Sequence, residues 1–196
     1  PCVLVNSYSD KLPSVLSDNR KGAYLAGRYL IEHGHKTVAL LAGVRSYLSN
    51  QERTAGFLQA FQEEGLSIPP ELILETGSWL YDAAEKVCLN FFNTYTGEMP
   101  TALFAFNDRL ATGAINAICK TGRTVPDDVS VIGYDNLGYY NIISPRITTV
   151  ETHIEAISES TVMHMIWQLN NGSCLPVKVL TPVEVISGET VRSLLC

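Results

Sequence analysis

The stretch PTALFAFNDRLATGAINAI, residues 100–118, decides the fold class. It contains a continuous apolar run at 103–106, which is typical of a strand covered on both faces. Asn107 and Asp108 follow this run directly, and the next apolar residues have the spacing of one helix face, at 111, 114, 115 and 118. A buried strand that leads straight into an amphipathic helix is the repeating unit of a parallel α/β sheet.

The same unit recurs along the chain. Further apolar runs that predict strands lie at 3–5, 38–41, 72–74, 129–133, 177–180 and 183–186. Apolar residues at helical spacing fill the intervals, at 57–61, 84–91 and 154–169, and the last of these ends at Asn170-Asn171-Gly172, a typical helix stop. The sequence therefore predicts an α/β fold in which an open parallel sheet is flanked by helices.

The composition excludes several classes of protein. The chain has 196 residues, 46% of them hydrophobic, which is enough to bury a core, and no apolar run approaches the roughly 20 residues of a membrane helix. Its 14 basic and 20 acidic residues give a net charge of −6, so we expect this surface to repel DNA. The five cysteines are scattered, which predicts reduced thiols in the cytosol and no metal site: Cys2, Cys88, Cys119, Cys174 and Cys196.

Polar side chains follow four of the predicted strands at the point where each strand ends. The carboxyl ends of parallel strands meet at one edge of a sheet, where loops and helix N-termini bind ligands. A guanidinium, a carboxylate, an amide and an indole at this edge can hydrogen-bond to a polyhydroxylated ring or a nucleobase and stack on it. The predicted ligand-binding residues are Tyr47, Ser49, Arg53, Trp79, Asn107 and Asp135.

Each of these residues also has a purely structural explanation. Asn107 can cap the helix that follows it, and the Asp135-Asn136 pair can form a turn. Arg53 can be a solvated surface charge, and Trp79 can pack into the core. The coincidence of all of them at one edge favours a binding site.

Catalytic motifs are missing from the sequence. It contains no G-x-S-x-G, no G-x-x-x-x-G-K-[ST], no H-E-x-x-H and no G-x-G-x-x-G after a strand. No histidine lies beside a plausible nucleophile in the sequence. We therefore predict that the chain is not an enzyme and needs neither a cofactor nor a metal.

Several motifs occur in order along the chain. They are SDNRKG at 17–22, YLIEHGHKTVA at 29–39, ERTAGF at 52–57, PTALFAFNDRLA at 100–111, VPDDVSVIGYDN at 125–136 and PRITTV at 145–150. Together they resemble the signature motifs of the LacI/GalR family of bacterial transcriptional regulators, and they cover nearly the whole chain.

The resemblance implies a periplasmic binding protein-like domain, in which a small effector binds between two α/β lobes. It assigns residues 18–148 and 177–196 to the C-terminal lobe, and 1–17 and 149–176 to a remnant of the N-terminal lobe. A DNA-binding headpiece would precede Pro1 and is absent from the sequence.

The resemblance also implies roles for the residues at the predicted edge. Arg53 and Asp135 would grip the effector, with Asn107 and Trp79 beside them. Tyr47 and Ser49 fall in the loop that tunes selectivity in the family. A homodimer is expected, and the candidate interface residues are Leu110, Ala114, Tyr139 and Ile143.

Two functions fit these observations. The first is the effector-sensing domain of a cytoplasmic repressor, which binds a sugar or sugar derivative and controls operator DNA binding through the missing N-terminal domain; a purine or nucleoside could use the same groups. The alternative is a periplasmic sugar-binding protein of a transporter. The odd number of scattered cysteines favours the repressor.

Overall fold

The computed structural model describes residues 1–138, 144–172 and 174–195, and its strands form two sheets. Within these residues the large sheet has the order β4-β3-β5-β6-β7-β9, and only the β7–β9 pair is antiparallel. Its strands are β3 (Val38–Ala42), β4 (Ile73–Glu75), β5 (Ala102–Ala105), β6 (Ser130–Asp135), β7 (Thr148–Glu151) and β9 (Glu184–Ile186). The small sheet is parallel and has the order β1-β2-β8, with β1 (Leu4–Val5), β2 (Ser14–Ser17) and β8 (Lys178–Thr181).

Helices alternate with the strands, as the sequence predicts. They are α1 (Asn19–Glu32), α2 (Leu48–Glu63), α3 (Tyr81–Thr94), α4 (Asp108–Lys120) and α5 (Ile154–Asn171), and a 3₁₀ turn at Pro70–Leu72 precedes β4. Helix α1 packs against α2 and α3 packs against α4. The core of the large sheet includes a ring stack in which Phe57 of α2 lies 4.8 Å from Phe104 of β5, centroid to centroid.

The predicted α/β fold is confirmed. Two strands of the structure were not predicted from the sequence. Strands β2 (SVLS) and β7 (TTVE) carry serine or threonine at positions that the structure buries. Because these short strands are not continuous apolar runs, their hydrophobic pattern gives no clear signal. They matter here, because β2 leads into α1 and β7 lies beside β6.

The strand pairing differs from the predicted lobe boundaries at two segments. Residues 149–151 were assigned to the N-terminal remnant, but they lie in β7, where Val150 pairs with Tyr134 of the large sheet. Residues 178–181 were assigned to the C-terminal lobe, but they form β8, where Val179 pairs with Val15 of the small sheet. The chain therefore crosses between the two sheets three times, after β2, β7 and β8.

Helix α5 does not bury the whole apolar face that the sequence predicts for it. Its start and its end at Gly172 agree with the sequence pattern, but most of its large apolar side chains are exposed. Ile154 and Leu169 of the predicted face are 53% and 66% exposed, whereas Ile157 is buried. No helix in the described part of the chain combines the length and the apolar character that crossing a membrane requires.

Close packing of α1 on α2 yields a testable prediction. A Cβ atom added to Gly56 would lie 1.9 Å from the backbone carbonyl oxygen of Arg20. We expect Gly56→Ala to lower the free energy of unfolding by about 2 kcal/mol or more, because backbone must move to admit the methyl group. Urea denaturation measures this. Gly138→Ala is the control, since a Cβ there has no neighbour within 4 Å among the residues that the structure describes; equal midpoints for the two variants would contradict the packing.

Candidate functional site

A polar cavity of about 230 Å³ opens at the carboxyl edge of the large sheet. All six predicted ligand-binding residues line it, and two residues that the sequence analysis missed complete the lining. The eight are Asn6, Asn19, Tyr47, Ser49, Arg53, Trp79, Asn107 and Asp135. The elements that supply them come from both sheets, because Asn6 directly follows β1 of the small sheet.

Arg53 lies at the centre of the hydrogen bonds in this cavity. It is only 7% exposed, so it is not the solvated surface charge that its position in the sequence also allowed. Its Nε donates to Asn19 Oδ1 at 2.9 Å, its Nη1 donates to the carbonyl oxygen of Phe106, and its Nη2 donates to Asp135 Oδ1 at 3.3 Å. The guanidinium carbon lies 3.6 Å from the centroid of the Tyr134 ring, a cation–π contact.

Asp135 ends β6 with an unusual backbone. Its φ is +105°, and the φ of Asn136 is +50°, a conformation that costs free energy for any residue with a Cβ. Burial raises the pKa of the Asp135 carboxyl, and the positive charge of Arg53 opposes that rise. The strained turn brings a carboxylate to the cavity, where it pairs with Arg53.

Asn107 has a structural role as well as a place in the cavity. Its Oδ1 accepts a hydrogen bond from the backbone amide of Leu110 at 2.7 Å, which caps α4. Its Nδ2 donates to the carbonyl oxygen of Trp79 at 3.3 Å. The cap and the position in the cavity are therefore compatible, and the side chain also ties α4 to the loop that carries Trp79.

Two aromatic rings form part of the cavity wall. Tyr47, at the start of α2, and Trp79, after β4, have ring planes 16° apart and centroids 6.1 Å apart. Trp79 also packs against the hydrophobic core, and it approaches Gly43 so closely that a Cβ there would lie 2.6 Å from the indole. The indole thus combines the core packing and the cavity position that the sequence left as alternatives.

The two missed residues had signals in the sequence. Asn6 follows the predicted strand at 3–5, so the rule that polar residues after strands line the edge also applies to it. Asn19 belongs to the SDNRKG motif, and its Nδ2 donates to Glu52 Oε2 at 3.3 Å while its Oδ1 accepts from Arg53. It orients the guanidinium, a role that only the three-dimensional packing reveals.

The lining of the polar cavity consists of hydrogen-bonding and aromatic side chains. Among residues 1–138, 144–172 and 174–195, no three His, Cys, Asp or Glu side chains are grouped so that they could hold a metal ion. A second cavity, of about 290 Å³, lies along α5 and shares no lining residue with the polar cavity. The polar cavity can donate to, accept from and stack on a small polar molecule.

Comparison with known proteins identifies the family. The sequence profile of the periplasmic binding protein-like domain matches residues 28–191. The structure of a LacI transcriptional regulator from Bacillus cereus subsp. cytotoxis superposes with a TM-score of 0.89 at 26% identity, over 98% of this chain and 68% of that one. This chain belongs to the LacI/GalR family. It is a periplasmic binding protein-like domain of the kind found in these regulators.

Other members of the LacI/GalR family confirm the relationship. A dimeric lac repressor superposes with a TM-score of 0.87 at 27% identity, over 98% of this chain and 69% of that one. The "Probable HTH-type transcriptional repressor ExuR" of Bacillus subtilis is 31% identical over 99% of this chain and 58% of its own length. The PurR repressor of Vibrio parahaemolyticus is 41% identical over 72% of this chain and 42% of its own length. The chain thus spans about half the length of these sequence relatives. Both relatives are named as transcriptional repressors, which agrees with the prediction that this chain is not an enzyme.

The predicted dimer interface needs correction. Leu110 and Ala114 are completely buried inside this chain, in the core beside the large sheet. Their spacing on α4 marks the face that this chain buries in its own core, so they cannot contact a partner. Tyr139 and Ile143, the other two predicted interface residues, lie outside the described residues.

The cap at Asn107 yields a second prediction. We expect Asn107→Ala to lower the free energy of unfolding by about 1 kcal/mol, because the amide of Leu110 loses its acceptor. Asn107→Ser also loses the bond to the Trp79 carbonyl but retains a capping oxygen, so it should be more stable than Asn107→Ala by at least about 0.5 kcal/mol. Chemical denaturation of both variants decides the matter, and equal losses would show that Asn107 does not stabilise α4 as a cap.

Proposed function

We propose that this chain is the effector-binding domain of a LacI-family transcriptional repressor and that a small sugar or sugar derivative binds in the polar cavity. The observation that carries the proposal is the ion pair between buried Arg53 and half-buried Asp135, in a cavity lined by amides, a serine and two aromatic rings. Charged hydrogen-bonding groups can contact sugar hydroxyls, and an indole can cover the apolar face of a sugar ring.

The position of the cavity suggests how binding is transmitted. Asp135 ends β6 of the large sheet and Arg53 lies in α2, the helix that follows β3 of the same sheet, whereas Asn6 follows β1 of the small sheet. An effector that contacts both sides favours one angle between the two sheets, which three chain crossings connect. In the whole repressor this angle would change the placement of DNA-binding headpieces in a homodimer, and hence operator affinity. The site of action would be the cytoplasm, where the operator lies.

A ligand screen tests this function on the intact protein. Calorimetry with neutral monosaccharides and disaccharides, purine bases and nucleosides would identify the effector class. We expect a sugar to bind and to change the affinity of the protein for DNA upstream of its own gene. Binding of a purine alone would replace the proposed ligand. A sugar that binds without any effect on DNA binding would favour the transporter-linked binding protein.

Substitution of the charged pair gives the third prediction. We expect Arg53→Ala and Asp135→Ala each to weaken effector binding at least about tenfold, or about 1.5 kcal/mol, through loss of charge-assisted hydrogen bonds. Arg45→Ala is the matched control, because the Arg45 side chain is 83% exposed and does not line the cavity. Calorimetry that gives one affinity for all three variants would contradict the site assignment.

A further inference from the structure

A buried acid beside the cavity has no part in the proposed function. Asp108 is the first residue of α4 and is only 2% exposed, yet it does not line the cavity. A carboxyl in such a position is stabilised only when hydrogen bonds replace the water that it has lost.

The Asp108 carboxyl connects three elements. Its Oδ1 accepts from the Thr149 hydroxyl of β7 at 2.6 Å, and its Oδ2 accepts from the backbone amide of Leu137 at 3.2 Å. The backbone amide of Asn136 is also hydrogen-bonded to this carboxyl. Gly133 of β6 leaves room for the approach, since a Cβ there would lie 2.3 Å from Asp108 Oδ1.

These contacts hold the turn that carries Asp135. Asp135 and Asn136 both have positive φ angles, so this turn persists only where its surroundings fix it. Asp108 binds its backbone from α4, and Glu151 of β7 accepts a hydrogen bond from the Asn136 side chain. The direction of the Asp135 carboxylate therefore depends on groups that do not line the cavity.

We propose that Asp108 is the positioning residue for Asp135: it fixes the Asp135–Leu137 turn through the backbone, and its ionisation changes how tightly that turn is held. That Asp135 contacts an effector rests on the proposed function. The positioning itself does not, because it concerns the protein without ligand.

The surroundings of Asp108 bring its ionisation into the neutral range. Burial raises the pKa of Asp108 to about 7, and the negative charge of Asp135 adds to the rise. The hydrogen bonds from Thr149 and from the backbone amides oppose it. Two other charged groups of the described residues act nearby: Glu151 on β7 accepts a hydrogen bond from the Asn136 side chain, and Arg109 on α4 lowers the pKa of Asp135.

Each protonation state holds the turn differently. The ionised carboxyl accepts from both sides, and its bond to the Leu137 amide is charge-assisted and therefore stronger. The neutral carboxyl donates its proton through one oxygen and accepts more weakly through the other. Because the pKa is raised, the folded protein keeps this proton between about pH 4 and about pH 7, where the unfolded chain has released it. In that window the folded state loses stability as the pH rises.

Nuclear magnetic resonance of the intact protein without ligand tests the proposal. Aspartate carboxyl carbons and leucine amides are labelled, and the pH is varied from 5 to 9. We expect the Leu137 amide proton to shift downfield with an inflection near the titration of Asp108, and the Asp135 carbon to show an inflection at the same pH. The absence of both inflections would overturn the proposal.

Three variants assign the inflection. Asp108→Asn imitates the neutral acid, so Leu137 should keep the low-pH shift of the unsubstituted protein at every pH. Thr149→Val removes a bond to the ionised form and should move the inflection up by about one pH unit. The matched control is Asp128→Asn, because Asp128 also accepts from a backbone amide and a threonine hydroxyl, both of Thr124, and should leave the inflection unchanged. An inflection that persists in Asp108→Asn would assign the effect to another group and refute the proposal.

Discussion

The buried guanidinium of Arg53 is the constraint on which the site depends. A positive charge that is removed from water costs several kcal/mol unless partners surround it, and the fold supplies them from four places. Asn19 comes from α1, the Phe106 carbonyl from the end of β5, Tyr134 from within β6 and Asp135 from its end. A side chain of α2 can meet all of them only because parallel strands end at a common edge. The charge therefore fixes the relative positions of the elements that form the cavity.

Sequence alone predicted the fold class and the six cavity residues because both follow from position along a strand–helix unit. Continuous apolar runs such as 103–106 reveal buried strands, and polar residues after them reach the carboxyl edge. The same pattern could not reveal β2 and β7, whose buried serines and threonines conceal the strands, or the pairing of β8 with β2. Strand order is a property of long-range pairing, and so the lobe boundaries were displaced.

Two further limits concern side chains. Apolar spacing on α4 shows that Leu110 and Ala114 are buried, but it does not show whether this chain or a partner buries them; here both lie in the core of this chain. Asn19 and Asp108 act through the positions of other residues, Arg53 and the turn after β6. Roles of this kind depend on angles and distances between elements that lie far apart in the sequence, which spacing cannot encode.

The pairing of β2 with β8 has a consequence for synthesis of the chain. Ser14 and its partner Lys178 are 164 residues apart in the chain (178 minus 14), so Lys178 is made long after Ser14. At about 5 to 20 residues per second, the ribosome takes on the order of ten seconds or more to cover that interval. Throughout this time β2 has an unpaired edge, and exposed edges are sites of aggregation. Strands β3 to β7 of the large sheet are all made within this interval, so the side that bears Asn6 gains its third strand only after five strands of the large sheet have been made.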